Sequence, residues 1–291
     1  MSAYTRHLLD GKTALQAAEA AFGDLDRLDK DLDRYARSRR MMAFTLTPDL
    51  LPPVPPITVR PLNEGHAAIM PLIIRSQKGV DREEAARIVV EARQVAARFP
   101  DDAEVLAALA EAEYDAGDNA RAIAAADRAI ALNPAVKNAY IQKGYALFRQ
   151  AGEAEDKDAA YKAAMLPFTQ LNKLENDHPL PLIYYYRSFA ARDADPLETA
   201  RHALERAAEL APFDQGLWFE AGLMQAREGK IAIAINSLSP IAGDPHGGEF
   251  AATAAALIAA MKGATEGEAF DPTPVLAQMT AEGEEGSTGT E

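Results

Sequence analysis

Chemistry needs side chains that ligate, titrate or attack in sets, and this sequence is poor in such sets. Its five histidines are His7, His66, His178, His202 and His246. No two of them stand at i, i+4, and there is no H-E-x-x-H, the spacing that puts two imidazoles on one helix face around zinc. There is no cysteine, which removes disulfides, thiolate metal sites and a thiol nucleophile. G-x-S-x-G, a lysine-bearing phosphate loop and G-x-G-x-x-G are all missing. "PHGGEF", residues 245–250, is Gly-rich, but no strand pattern precedes it, so it reads as a turn between helices. Carboxylates abound, yet "DLDRLDKDLDRYARSRR" alternates sign along a helix, the mark of a solvated face. No nucleophile, base and orienting group can be named together, so no catalytic residue, metal or cofactor is expected. What the sequence does offer is aromatic rings interleaved with arginine, a combination suited to recognition. "LIYYYRSFAAR", residues 182–192, sets three tyrosines side by side. Successive helical residues point about 100° apart, so one packed face cannot bury all three.

The elements that must position these side chains follow from composition and punctuation. Hydrophobic residues make up 48% of 291, and alanine dominates them, which favours helix because alanine loses no side-chain entropy there. A net charge of −14 argues against binding nucleic acid or an anionic membrane, both of which need a basic surface. No apolar run approaches the roughly 18 residues of a membrane span. The N-terminal "MSAYTRHLLDGKTALQAAEAAFG" lacks the basic–apolar–small pattern of an export signal, which points to the cytoplasm.

Pro100, Pro134, Pro179, Pro212 and Pro245 are separated by 34, 45, 33 and 33 residues. A period near 34 with a closing proline is the tetratricopeptide signature, one helix–turn–helix (A and B) per repeat. Small residues fall where A and B must cross closely: Ala110, Ala122 and Ala129 in the unit opening at Ala103, Gly144 in the unit opening at Lys137, and Gly222 and Ala234 in the unit opening at Gln215. Gly117 and Gly229 fit the turn ending helix A. The Lys137 unit carries about eleven extra residues, expected to lengthen its A–B turn or both helices, with Pro167 marking a break or a helix start. The expected fold is therefore all-α: a right-handed tetratricopeptide superhelix of about four to five helix pairs plus an end helix over residues 63–262.

In such stacks the A helices line the concave side. The positions that face it carry Asn138, Ile141, Gln142, Tyr145, Phe148 and Arg149, then Tyr185, Tyr186, Phe189 and Arg192, then Phe219, Leu223 and Arg227. These form the candidate groove for a peptide or protein partner. Counting back from Pro212 puts Tyr184 in the slot that Tyr140 and Trp218 fill in neighbouring units. Tyr184 is therefore expected to pack between helices A and B, with Tyr185 and Tyr186 turned to the groove. A competing expectation is that the chain covers this groove itself. The Lys/Asn/Arg clamp of carboxylate-binding adaptors is absent, since Ala107, Glu111, Gln142, Leu182 and Tyr186 stand at its positions.

Outside the repeats, residues 1–42 read as two helices, Ala3 to Leu9 and about Thr13 to Arg39, broken near Phe22-Gly23. Residues 43–62 form a Pro-rich connector with short extended pieces, since proline blocks helix and central-strand pairing alike. The run from Glu249 to Lys262 reads as a solvating end helix. Residues 263–291, with no Lys or Arg, read as a disordered acidic tail, a short helix around Pro274 to Thr280 excepted.

"LLDGKTALQAAEAAFGDLDRLDKDLDRYARSRRM", "ITVRPLNEGHAAIMPLIIRSQKGV", "LIYYYRSFA" and "ELAPFDQGLW" together resemble the C-terminal half of bacterial proteins that join a peptidase-MA-like, gluzincin-type metallopeptidase domain to tetratricopeptide repeats. The resemblance spans residues 1 to about 262. It implies that residues 1–42 match the end of a peptidase domain whose H-E-x-x-H would lie before Met1. It further implies an upstream peptidase domain as partner, and export, which is typical of that family.

Overall fold

The computed structural model describes residues 2–9, 12–37, 47, 57–59 and 61–279, and it divides into two units, residues 1–60 and 61–291. Most of the expected connector and the last residues of the acidic tail lie outside the described residues. The first unit has three helices: α1 (Ser2–Leu9), α2 (Ala14–Phe22) and α3 (Leu25–Ala36). Thr13 and Gln16 form a reciprocal capping box that starts α2, and Gly23, at φ 77°, ends it. The sign-alternating α3 buries none of its residues, as befits a solvated face.

The second unit is a run of helices each packed on the next: α4 (Glu64–Gln77), α5 (Arg82–Arg98), α6 (Ala103–Asp115), α7 (Asn119–Leu132), α8 (Lys137–Gly152), α9 (Lys157–Leu174), α10 (Pro179–Ala190), α11 (Glu198–Leu210), α12 (Gln215–Arg227), α13 (Ile231–Ala242) and α14 (Gly248–Met261). The even-numbered members are the A helices. Aspartate starts many of these elements. Asp81, Asp102, Asp118, Asp156 and Asp214 each accept a backbone N–H of the first turn, which satisfies an orphan donor and places negative charge at the positive end of the helix.

Close A–B crossing explains the small residues. A Cβ on Gly144 would lie 2.5 Å from the Phe168 ring, and one on Gly222 would lie 2.8 Å from Leu238. In α6 and α7, Ala110, Ala126 and Ala129 are fully buried. The insertion in the Lys137 unit lengthens both helices: α8 and α9 have 16 and 18 residues, against 13 and 14 in α6 and α7. The expected break at Pro167 does not occur. Pro167 is buried inside a continuous α9, where packing offsets the missing backbone hydrogen bond.

One expectation fails at the C-terminal end. α14 packs as an end helix, with Ala254, Leu257 and Met261 buried against α12 and α13 and Ala252, Ala255, Ala259 and Ala260 exposed on its outer side. The start of the expected disordered tail, from residue 264, folds back onto the same core, and residues 273–279 form a short helix where one was expected around Pro274 to Thr280. Phe270, Val275 and Leu276 pack there, and Pro272 is fully buried. The backbone is tied as well. Gly267 N donates to Gly229 O at 2.9 Å, and Phe270 N donates to Ala226 O at 3.0 Å. Glu266 accepts the Ala232 N–H at 3.0 Å, capping α13, whose own Lys230 supplies no side-chain cap. Composition hides this segment because its apolar residues are few among Gly, Thr and Glu.

Candidate functional site

The A helices carry a row of aromatic rings. On α10, Tyr184 projects toward α8 and α9. Its ring lies 4.5 Å from Phe168, 4.8 Å from Phe148 and 5.3 Å from Tyr145, centroid to centroid. Tyr145 in turn lies 5.6 Å from Tyr114 of α6. The row thus crosses α6, α8 and α10. Tyr114, Tyr145, Phe148 and Tyr184 are all half-buried, so each keeps part of its surface exposed. Such rings contribute large apolar area at low entropic cost.

Cations flank the row. The exposed Arg149 guanidinium stacks 3.6 Å from the Tyr114 ring centroid and donates to Tyr114 O at 3.0 Å. Arg187, one helical turn along α10 from Tyr184, is exposed and pairs with Glu220 of α12 at 2.7 Å. At the other end Asn138 donates to Glu111 at 2.9 Å and accepts from the buried Gln142 at 3.0 Å. Burial raises the Glu111 carboxyl above its ordinary value, partly offset by the Asn138 hydrogen bond. Burial likewise pushes the Tyr145 and Tyr184 hydroxyls up, so both stay neutral donors at physiological pH. This arrangement can stack, donate and pair. Among the described residues no group of three or more His, Asp or Glu is placed to hold a metal ion.

The sequence-derived groove residues divide among several places. Ile141, Tyr145, Phe148 and Arg149 sit on or beside the row. Asn138 and Gln142 are tied into its polar end. Tyr186 does not face a groove at all. It is buried with Ile183, Ala200, Leu204 and Leu217 in the α10–α12 core. Tyr184, expected between helices A and B, is instead the hub of the aromatic row. Tyr185, Phe189 and Arg192 lie on another flank of α10 and line a cleft with α9 and the start of α11. Phe219 and Leu223 pack into the α12–α14 core, with Phe250 of α14 lying 4.9 Å from the Phe219 ring, so the chain covers this part itself. Arg227 is exposed at the end of α12.

The error on α10 has a physical cause. Tyr140 and Trp218 stand six residues beyond Pro134 and Pro212, and each donates to the carbonyl of its proline, at 3.0 and 3.2 Å. Six residues beyond Pro179 stands Tyr185, not Tyr184. Pro179 and Pro212 stand 33 residues apart, one fewer than Pro100 and Pro134, so counting backwards from Pro212 by the spacing of the Ala103 unit lands one residue early. The count misses Tyr184 and Arg187 for that reason. Tyr114 and Glu111 lie within its reach. They occupy in the Ala103 unit the positions that Phe148 and Tyr145 occupy in the Lys137 unit.

A thermophilic tetratricopeptide-repeat protein of Thermus thermophilus superposes with a TM-score of 0.52 at 14% identity, over 66% of this chain and 97% of its own. The fold is a tetratricopeptide stack. YrrB, described as a tetratricopeptide protein with an unusual peptide-binding site, gives a TM-score of 0.48 at 19% identity over 65% of this chain and 91% of its own. MamA of Desulfovibrio magneticus RS-1 gives 0.45 at 18% identity over 60% and 92%. No family model matches the sequence, and no curated protein does. Within the stack the aromatic row lies on the A-helix face, and no helix among the described residues is long and apolar enough to cross a membrane.

Proposed function

We propose that this chain is a non-catalytic interaction module that holds a peptide or protein partner on the A-helix face of its tetratricopeptide stack. One observation carries the reading: four half-buried rings, Tyr114, Tyr145, Phe148 and Tyr184, run across three A helices between the exposed cations Arg149 and Arg187. Aromatic anchors beside arginine are the side chains that dominate binding energy at protein interfaces. The surface in use spans α6 to α10, because α14 covers the corresponding face of α12.

Panning a displayed random-peptide library on the purified chain tests this. Selected peptides should lose about tenfold or more in affinity to Arg149→Ala and to Arg187→Ala, with circular dichroism showing both variants to be folded. Peptides that bind both variants as well as the wild type would refute the assignment to this face.

A second form of the reading makes the chain the accessory half of a zinc peptidase, inert alone and docking or feeding a catalytic domain. The stretches quoted for the peptidase-MA-like resemblance, above all residues 8–41, favour it. An in-frame H-E-x-x-H upstream in the gene would support this form, and an upstream stop codon would remove it.

A further inference from the structure

The cleft lined by α9, α10 and the start of α11 meets the aromatic row at Phe168, whose ring stacks on Tyr184, but opens on another flank of α10, and it has a volume of about 480 Å³. Its walls are mainly apolar, with Met165, Leu182 and Phe189 among them, and Leu197 stands exposed at its rim. A ring occupies a place that is glycine elsewhere. Ten residues beyond their prolines the neighbouring units have Gly144 and Gly222, and this unit has Phe189.

Charge sets this cleft apart within an acidic protein. The charged residues lining it, Lys162 and Arg192, are both cations, and they share a single carboxylate, Asp158. The Arg192 side chain is only 12% exposed and also donates to Ser188 O, so its guanidinium is fixed in place. One pair further on, the cleft among α11, α12 and α13 measures about 390 Å³, and its charged residues are Glu205 and Glu209. A third feature is polar. Asn172, on the wall, has a buried Oδ1 that no donor among the described residues reaches. A buried acceptor left unpaired is costly, and a ligand N–H would satisfy it.

We propose that this cleft is a second binding site, taking an extended peptide segment in which a bulky apolar side chain stands beside a carboxylate, either an acidic residue or the free C-terminus. The apolar walls take the side chain, the unbalanced cation pair takes the carboxylate, and Asn172 accepts a peptide N–H. A fatty carboxylate would meet the first two features but has no donor for Asn172.

The probe is a set of fluorescein-labelled decapeptides with Leu-Asp, Phe-Asp or C-terminal Phe, each paired with its Asn or carboxamide counterpart, with laurate as a separate arm. The acidic members should bind at least about tenfold more tightly than their neutral counterparts. Lys162→Gln, an exposed position, and Thr169→Trp, which places a bulky ring at the cleft wall, should each weaken them about fivefold or more while circular dichroism stays native. Arg149→Ala on the A-helix face should leave this binding unchanged, which separates the site from the aromatic row. The proposal is overturned if no peptide binds, if acidic and neutral peptides bind alike, or if Thr169→Trp has no effect. Laurate binding that Lys162→Gln weakens, with no peptide bound, would assign the cleft to a fatty carboxylate instead and overturn it too.

Discussion

Three adjacent tyrosines on α10 should differ sharply in what they contribute. Tyr186 is 8% exposed, and its ring is enclosed by Ile183, Ala200, Leu204 and Leu217. Removing it to alanine empties roughly 100 Å³. At about 24 cal/mol per Å³ that is about 2.4 kcal/mol before the lost transfer energy is added, so a total of about 3–5 kcal/mol is expected. Tyr185 borders the open cleft and makes one 3.1 Å hydroxyl contact with Thr199. Its loss enlarges a space that already exists, for about 1 kcal/mol. The assay is urea unfolding followed by far-ultraviolet circular dichroism and by fluorescence of Trp218, the single tryptophan, which packs on the same core. With a slope of roughly 3 kcal/mol/M, Tyr186→Ala should lower the midpoint by about 1 M or more and Tyr185→Ala by roughly 0.3 M. Equal shifts, or a larger one for Tyr185→Ala, would show that the helix phase described for α10 is wrong.

Three other outcomes follow from named contacts. The Glu113 side chain is 3% exposed and accepts both Arg93 nitrogens at 2.7 and 2.6 Å, so Arg93→Met should cost about 3 kcal/mol in thermal or urea melts, and adding Glu113→Leu should restore most of it. Burial raises the folded pKa of Glu111, so the folded state holds that proton more tightly; stability falls as pH rises from the ordinary 4.5 through the folded value. Glu111→Gln should therefore raise the melting temperature at pH 7 and above, and the gain should vanish below pH 4.5. Gly229 has φ 76°, and a Cβ there would lie 2.7 Å from Gly267 C, so Gly229→Ala should exceed the roughly 1 kcal/mol usual for such a site and speed proteolysis of residues 264–279.

Sequence reasoning works here where one residue type has one physical reason to be in its place. Closing prolines, Gly144 and Gly222 at crossings where a Cβ would clash, and Gly117 and Gly229 at turn positions of positive φ each announce the stack. The site is less legible because it depends on phase. Tyr145, Phe148 and Arg149 fall on the expected face, since α8 begins at a fixed distance from Pro134. Tyr184 and Tyr186 do not take the roles expected of them, since this unit is one residue shorter between its prolines than the Ala103 unit and a count back from Pro212 by that unit's spacing lands one residue early. Tyr114 and Glu111 are within reach of the same positional rule. The fold-back of residues 264–279 rests on backbone hydrogen bonds to Gly229 and Ala226, and backbone pairing leaves little trace in side-chain pattern.

That fold-back also ties down the end of the array. A helical stack is open-ended, since each pair presents an apolar face on which another pair, from the same chain or a second molecule, could nucleate. Here Phe270, Pro272, Val275 and Leu276 close over the core of the last helices, and the start of α13 is closed by Glu266. Thermal fraying, which in linear arrays begins at the terminal pair, meets the same latch.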